Sequence, residues 1–247
     1  MISKAKAKFI KSLQLKKYRK EEQCFIVEGA KSVEELLYSD FDVQWVAASP
    51  SFLEANQQSI RKKNAEPVEC SESELSAVSS FQNNNSALAI AKMKPDHKPL
   101  LKNELALVLD DIRDPGNLGT IIRTADWYGI RHIIASEETA DFYNPKVISS
   151  TMGSFCRVQV FYTSLGEYLQ QTTLPVYGAF LNGDDIHTIA PPAAALVVIG
   201  NESRGISDEL KKFIAHPITI PRIGHAESLN AAIATAVILD NMTRLQK

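Results

Sequence analysis

The stretch LALVLDDIRDPGNLGTIIRTADW, residues 105–127, contains the unit from which the fold is built. Leu105–Asp110 is a short, mostly apolar run that predicts a strand. A polar loop follows, and Leu118–Tyr128 then predicts a helix that Gly129 ends. A strand, a glycine-bearing loop and a helix in this order are the repeating unit of a wound α/β sheet.

The same alternation continues to the C-terminal end of the chain. Two uninterrupted apolar runs, Val176–Ala179 and Ala195–Ile199, are typical of strands that are covered on both faces of a parallel sheet. Further strands are predicted at His132–Ala135, Val158–Tyr162 and His216–Ile220, and helices at Pro145–Ser150, Asp208–Phe213 and Leu229–Arg244. Residues 99–247 are therefore predicted to form one α/β domain.

The sequence upstream predicts a smaller α/β unit. Strands are expected at Cys24–Val27, Val43–Ala48, around Val68 and at Ala87–Ala91, with helices between them. Residues 92–102, KMKPDHKPLLK, contain two prolines and four lysines and are predicted to be a linker. The predicted domains are accordingly 1–98 and 99–247.

Composition excludes several classes of protein. The 247 residues are 45% hydrophobic and carry a net charge of −2, which is ordinary for a globular protein. There is no apolar run long enough for a membrane span and no apolar core of a secretory signal near the N-terminus. Three cysteines without C-x-x-C spacing argue against a disulfide framework or a zinc site. We expect reduced thiols, no metal and a cytoplasmic location.

The charge is unevenly distributed along the chain. Before Glu21 there are basic residues and no acid: Lys4, Lys6, Lys8, Lys11, Lys16, Lys17, Arg19 and Lys20. Such an arm suits a nucleic-acid backbone, because each neutralised phosphate releases counterions. A solvated helix face is the alternative interpretation, and the pattern alone does not decide between the two.

Three polar loops follow predicted strands, where ligands collect in open α/β sheets. The first contains Asn117 and Arg123, the second is Gly200–Ile206, and the third is Ile220–Asn230. Taken singly, each has an ordinary structural explanation: a salt bridge for Arg123, a polar turn, and a helix N-cap at Ser228. A dinucleotide-dependent oxidoreductase is disfavoured, because G-x-G-x-x-G spacing is absent.

The order of the three motifs is more specific than any one of them. N-x-G-x-x-x-R at 117–123, G-N-E-x-x-G-I at 200–206 and I-P-x-x-G-x-x-x-S-L-N at 220–230 together resemble the SpoU (TrmH-type) family of RNA ribose methyltransferases. Residues 142–153, FYNPKVISSTMG, resemble a further segment of that family. FIVEG at 25–29 resembles its substrate-binding domain, a fold similar to ribosomal protein L30e.

The resemblance implies a fold, a cofactor and an assembly. It implies a C-terminal α/β domain of the SPOUT type with a parallel sheet and a trefoil knot, preceded by the small L30e-like α/β domain. It implies S-adenosylmethionine as the cofactor, a homodimer, and no metal. The cofactor-binding residues implied are Ala179, Leu181, Gly200, Asn201, Gly205, Ile220, Pro221, Ser228 and Leu229.

The reaction implied is methyl transfer to a ribose 2'-hydroxyl of structured RNA, ribosomal RNA rather than the alternative, transfer RNA. The catalytic residues implied are Arg123, Asn117, Glu202, Ser228 and Asn230. A guanidinium is a poor base because its pKa exceeds about 12. We therefore expect Arg123 to orient the RNA, and proton abstraction by it stays open.

Two positions depart from the family pattern. Ser149 stands where the family often has Arg, and Arg222 where an apolar residue is common. Both leave the implied catalytic residues untouched, so they bear on the choice of target nucleotide. A non-catalytic RNA-binding protein of the same fold is a second hypothesis; the presence of Asn117, Arg123 and Asn230 argues against it.

Overall fold

A computed structural model describes residues 1–80 and 86–245. The helices and strands of the first part of the chain are α1 (Lys4–Ser12), α2 (Lys16–Glu22), β1 (Cys24–Glu28), α3 (Ala30–Tyr38), β2 (Val43–Ala48), α4 (Pro50–Ala55), α5 (Gln57–Lys62), β3 (Glu66–Glu69), α6 (Glu72–Val78) and β4 (Ala87–Lys92). The later elements are β5 (Leu105–Leu109), α7 (Pro115–Trp127), β6 (His132–Ala135), α8 (Pro145–Ser150), β7 (Gln159–Tyr162), α9 (Leu165–Gln170), β8 (Val176–Asp185), β9 (Ala195–Ile199), α10 (Asp208–Lys211), β10 (His216–Thr219) and α11 (Ala231–Thr243).

The chain divides into two compact units. The first contains residues 1–95 together with 141–156, and the second contains residues 96–140 and the chain from Arg157 onward. This division differs from the predicted domains, 1–98 and 99–247, in two respects, of which the first is that the boundary lies between residues 95 and 96. The second is that residues 141–156 leave the second unit between β6 and β7 and belong to the first.

The first unit is built on a four-stranded sheet in the order β1-β4-β2-β3. β4 pairs antiparallel with both β1 and β2, and β2 pairs parallel with β3. The basic arm forms α1 and α2, and α1 is amphipathic: Ile10 is fully buried in the core of this unit, as is Leu13 just after the helix. Its lysines Lys4, Lys8 and Lys11 are exposed.

Aromatic packing explains why residues 141–156 belong to the first unit. The ring of Tyr143 lies 4.7 Å from that of Phe25 in β1. The ring of Phe155 lies 6.1 Å from Phe25 and 5.9 Å from Phe41, measured between centroids. Sequence order placed these residues in the C-terminal domain, whereas burial of their aromatic side chains decides where they pack. Deletion of the N-terminal residues would expose these rings, so full-length variants are the appropriate test of the first unit.

A buried ion pair joins this segment to the basic arm. The guanidinium of Arg19, with 2% of its side chain exposed, lies 2.5 Å from the carboxylate of Asp141. It also donates to the carbonyl oxygens of Leu13 and Gln14, each at 2.8 Å, just after α1. Arg19 is therefore a structural cation, unlike the exposed lysines around it.

The second unit contains a six-stranded sheet in the order β10-β8-β9-β5-β6-β7. Every pairing in it is parallel. All residues of β5 and β9 are buried, as expected for central strands that are covered on both faces. The predicted α/β class with a parallel sheet is confirmed.

β8 is longer than the predicted Val176–Ala179 because it pairs with β10 in two separate registers. Gly178 pairs with Pro217, but the next residue of β10, Ile218, pairs with Asp184. Residues 179–183 therefore bulge out of the ladder. Gly183 is needed at the end of the bulge, since a Cβ atom there would meet the carbonyl oxygen of Pro217 at 2.7 Å.

Three helix boundaries differ from the predictions for local reasons. α7 begins at Pro115, since Asp114 caps it by accepting a hydrogen bond from the Asn117 amide at 2.9 Å. α11 begins at Ala231, and its N-cap is Asn230 rather than Ser228. α10 ends at Lys211, two residues before the predicted end.

Among the helices of residues 1–80 and 86–245, none combines the length and the apolar character that a membrane span requires.

The Arg19–Asp141 pair gives a prediction about stability. Replacement of Asp141 by Ala leaves a buried guanidinium without its carboxylate, which costs roughly 3–5 kcal/mol when a buried ion pair is broken. We expect Asp141→Ala to lower the free energy of unfolding by about that amount in urea denaturation of the full chain. Lys20→Ala, at an exposed position of α2, is the control and should change it by less than about 0.5 kcal/mol. Equal stability of the two variants would contradict a structural role for the pair.

Candidate active site

An open cleft in the second unit, with a volume of about 1480 Å³, lies where three chain segments meet. These segments are the β8 bulge, the loop after β9 and the chain from β10 to the start of α11. All nine predicted cofactor-binding residues line it: Ala179, Leu181, Gly200, Asn201, Gly205, Ile220, Pro221, Ser228 and Leu229. The structure thus brings these residues together, and their contact with a cofactor stays a prediction.

The loop after β9, residues 200–206, is tightly closed, and we call it the GNE loop. Asn201 and Gly205 exchange two backbone hydrogen bonds, at 3.1 and 2.8 Å. A Cβ atom on Gly200 would lie 2.3 Å from the carbonyl carbon of Gly205, so only glycine fits there. Gly205 has a φ of +69°, which also favours glycine. The glycine at position 200 is therefore required for closure of the loop, and the same residue lines the cleft.

The side chain of Asn201 is used within the protein. Its Oδ1 accepts hydrogen bonds from the amides of Ser203 and Arg204, at 2.9 and 3.2 Å. Its Nδ2 donates to the carbonyl oxygen of Asp111 at 2.8 Å. Any contribution of Asn201 to cofactor binding would therefore come from its backbone.

Residues from all three motifs meet at Asn117. Asn117 Nδ2 donates to Glu202 Oε1 at 2.5 Å, and Asn117 Oδ1 accepts from Asn230 Nδ2 at 2.9 Å. Asn230 is fixed in turn, since its Oδ1 accepts from the amides of Ala232 and Ile233 at the start of α11. The chain of hydrogen bonds therefore connects α7, the GNE loop and α11, although these elements are distant in sequence.

Arg123 differs from the other predicted catalytic residues. Six residues beyond Asn117 on α7, it lies about 9 Å further along the helix axis and about 120° around it. Glu202 and Ser228 line the cleft, and Asn117 and Asn230 reach it through hydrogen bonds, whereas Arg123 is neither in the lining nor bonded to it. Its side chain is exposed and has no hydrogen bond or ion pair with any residue of 1–80 or 86–245. The salt bridge that would make it structural is thus not found within the described chain.

The thiols and other titratable groups do not suggest further chemistry. Burial raises the pKa of Cys70 to about 11 and also raises the pKa of Cys24. Both thiols are buried and neutral near pH 7, which makes them poor nucleophiles. Within residues 1–80 and 86–245, no group of three or more His, Cys, Asp or Glu side chains is placed to hold a metal ion.

Comparison with known proteins agrees with the resemblance that the three motifs indicated. Residues 104–240 match the SpoU rRNA Methylase family, and residues 4–89 match the MRM3-like substrate binding domain. The chain belongs to the SpoU rRNA methylase family. The predictions of the family and of the enzyme class are therefore confirmed.

Relatives of known sequence or structure match nearly the whole chain. The 23S rRNA (guanosine(2553)-2'-O)-methyltransferase RlmP of Bacillus subtilis is 32% identical over 95% of this chain and 94% of its own length. A TrmH-family structure from Porphyromonas gingivalis is 36% identical, covers 99% of both chains and has a TM-score of 0.89. The AdoMet-bound rRNA methyltransferase of Sinorhizobium meliloti is 28% identical, with a TM-score of 0.86 over 99% of this chain and 97% of that one.

The hydrogen bond between Asn117 and Glu202 can be tested by exchanging its donor and its acceptor between the two positions. Asn117→Asp removes the donor and sets two carboxylates against each other, so it should weaken binding of S-adenosylmethionine and lower the melting temperature. Adding Glu202→Gln restores an amide opposite a carboxylate and should recover most of both losses. Melting curves and cofactor titrations of the two single variants and the double variant measure this coupling. Strictly additive losses would mean that the two side chains do not act as a pair.

Proposed function

We propose that this SpoU-family enzyme transfers a methyl group from S-adenosylmethionine to a ribose 2'-hydroxyl of structured RNA, with ribosomal RNA as its substrate class. The observation that carries the proposal is that two of the motif loops line one cleft and are joined to the third motif by the hydrogen bonds of Asn117 with Glu202 and Asn230. The match to a 23S rRNA 2'-O-methyltransferase over nearly the full length of both chains supports ribosomal RNA over transfer RNA.

The cleft has the features that a bent, largely backbone-bound S-adenosylmethionine needs. Gly200 lies on one side of the cleft, and Ile220 and Leu229 lie on the facing segments, where their main chain would bind the ligand. Ala179 and Leu181 of the β8 bulge provide apolar contact for the ligand. When bound, S-adenosylmethionine supplies a methyl group on a sulfonium, whose departure leaves a neutral product.

Because the leaving group is good, the protein has mainly to orient the ribose oxygen and assist loss of its proton. Glu202 is held by Asn117 at the edge of the cleft, and Ser228 lies on the facing loop. Arg123 is exposed and unpaired within the described chain, so its planar guanidinium is free to bind an RNA phosphate bidentately. Its role is to orient the RNA backbone.

A homodimer, a trefoil knot and a cytoplasmic location complete the proposal. Trp127 at the end of α7 is 84% exposed, Ile233 in the first turn of α11 is 53% exposed, and Leu229 just before that helix is 46% exposed. Large apolar side chains so exposed on neighbouring helices favour cover by a second copy of the chain. The knot and the location rest on family membership.

The first unit supplies the RNA-docking surface. On α1, Lys4, Lys8 and Lys11 recur at helical spacing and are exposed, whereas Ile10 packs into the core. Exposed Lys16, Lys17 and Lys20 on α2 extend the charge. A fixed row of ammonium groups suits a phosphate backbone, which is bound by charge without base recognition.

Arg123 gives the test of the catalytic proposal. If it positions the RNA, Arg123→Ala should retain cofactor affinity and melting temperature but lose methyl transfer by roughly 100-fold or more. Arg123→Lys should restore little, because one ammonium does not reproduce the planar fork. Tritiated methyl transfer into ribosomal RNA measures the activity of each variant. Calorimetric titration of S-adenosylmethionine and a melting curve on the same preparation measure its cofactor affinity and its stability. Arg131→Ala, an exposed arginine shortly after α7, is the control.

Two results would contradict the proposal at different levels. Near-normal methylation by Arg123→Ala would disprove the role of that residue alone. Absence of S-adenosylmethionine binding by the unmodified protein, with RNA present, would disprove the assignment of the cleft.

The lysine row gives a test of RNA docking. Reversal of Lys4, Lys8 and Lys11 to Glu should weaken RNA binding and reduce the slope of log affinity against log salt by roughly 2–3, at about 0.7–0.9 for each lost phosphate contact. Lys62→Glu, at an exposed position of α5 in the same unit, should leave that slope nearly unchanged. The slope is measured by filter binding or anisotropy over a salt series. An unaltered slope in the triple variant would place the docking surface elsewhere.

A further inference from the structure

The residue that follows β5, Asp110, contacts both ends of the GNE loop. Its backbone amide donates to the carbonyl oxygen of Ile199, just before the loop, at 2.9 Å. Its carboxylate Oδ2 accepts from the amide of Ser207, just after the loop, at 2.7 Å. One buried residue, 7% exposed, therefore fixes the entry and the exit of a seven-residue loop.

The next residue adds a third attachment. Asp111 has a φ of +59°, a left-handed conformation that Asp tolerates better than most residues do. Its carbonyl oxygen accepts the hydrogen bond from Asn201 Nδ2, at the start of the loop. Its own amide donates to Ser136 Oγ at 3.0 Å, which ties the turn to the chain after β6.

These attachments matter because the internal hydrogen bonds of the GNE loop close the loop but do not fix its position relative to the rest of the unit. Its internal order comes from the exchange between Asn201 and Gly205 and from the Asn201 side chain, while Ser203 and Arg204 at its tip are exposed. The same loop lines the cleft and carries Glu202, which must reach Asn117 on α7. A displacement at either end of the loop would move Glu202 and the backbone of Gly200 together.

We propose that Asp110 is a positioning residue for methyl transfer: its carboxylate, through the Ser207 amide, sets the placement of the GNE loop against the cofactor cleft and Asn117. Asp110 acts through the loop and itself touches neither the cofactor nor the RNA. The inference rests on the proposed function, in which this cleft holds S-adenosylmethionine.

The hydrogen bond between the Asp110 carboxylate and the Ser207 amide can be removed from either side. Asp110→Ala removes the acceptor, and Ser207→Pro removes the donor. Proline suits Ser207, whose φ is −60°. The serine hydroxyl itself is expendable, since Ser207 Oγ has no hydrogen-bond partner among the described residues and does not cap α10. Two conservative changes retain the bond: Asp110→Asn keeps an acceptor oxygen, and Ser207→Ala keeps the amide.

We expect Asp110→Ala and Ser207→Pro to raise the dissociation constant of S-adenosylmethionine and to lower kcat, each by roughly 10- to 100-fold, with the affinity for RNA unchanged. Asp110→Asn and Ser207→Ala should recover most of the loss. The double variant Asp110→Ala with Ser207→Pro should be no worse than either single variant, because both remove the same bond. Calorimetry with S-adenosylmethionine and methyl transfer into ribosomal RNA, both at a temperature well below every variant's Tm, provide the measurements.

Glu104 provides the matched control. Glu104 lies directly before β5, whereas Asp110 lies directly after it. The Glu104 carboxylate is 3.2 Å from His132 Nδ1, and the residue is not part of the cleft. Glu104→Ala should leave kcat and cofactor affinity as in the unmodified protein. If it lowers them as much as Asp110→Ala does, the effect is a general loss of stability and the inference is overturned.

Parallel assay of Glu202→Gln separates failure of the inference from failure of the proposed function. The inference is overturned if Asp110→Ala and Ser207→Pro keep their cofactor affinity and kcat while Glu202→Gln loses activity. It is also overturned if Asp110→Ala is impaired and Ser207→Pro is not, because the effect would then not run through the hydrogen bond between these two residues. Failure of the unmodified protein to bind S-adenosylmethionine would instead contradict the proposed function.

Discussion

Every strand of the second sheet runs in the same direction, and the site depends on that constraint. Parallel pairing puts the carboxyl ends of β5, β8, β9 and β10 at one edge. The polar loops that follow these strands are therefore neighbours, however far apart they lie in sequence. β9 and β5 are adjacent, so Glu202, after β9, and Asn117, after β5, approach to hydrogen-bond distance.

Adjacency alone would leave these loops free to move, and the polar contacts at the ends of the strands provide the order. Asp110 and the carbonyl of Asp111 hold the GNE loop, Asp114 caps α7, and Asn230 caps α11. Each of these contacts satisfies backbone groups that a loop or a helix end would otherwise leave unpaired. The same side chains that complete the secondary structure thus determine where the amides of Asn117 and Asn230 and the carboxylate of Glu202 point.

The basic residues of the first unit fall into two groups, those that are buried or paired and those that are exposed. Arg19 has a low exposure because its guanidinium bonds to two carbonyl oxygens and to Asp141. Lys6 is also engaged, 2.7 Å from Glu66 and over the ring of Trp45. The lysines that have no such partner face solvent from α1 and α2. A sequence count treats all these cations alike, whereas the structure distinguishes those that hold the fold from those available to RNA.

Much of the second unit could be predicted from the sequence because its signals are local. Apolar runs marked the strands, and motif order marked the two loops that line the cleft, 200–206 and 220–230, and the start of α7 beside them. The β8 bulge was not predictable, since it depends on how two distant strands register at Pro217 and Ile218. The placement of residues 141–156 was likewise missed, because it is decided by aromatic contacts with Phe25 and Phe41 rather than by chain order.

The acidic pair after β5 illustrates the same limit at the site itself. In the sequence, Asp110 is the last residue of a predicted strand and Asp111 the first of the loop after it, and neither belongs to the three motifs; the strand in fact ends at Leu109. Their importance lies in partners about ninety residues away, Asn201 and Ser207, which only the parallel pairing of β5 with β9 brings near. Methyl transfer from a sulfonium needs orientation more than it needs a strong acid or base. In such an enzyme, residues that fix loops bear directly on the rate, although they touch no substrate and carry no motif of their own.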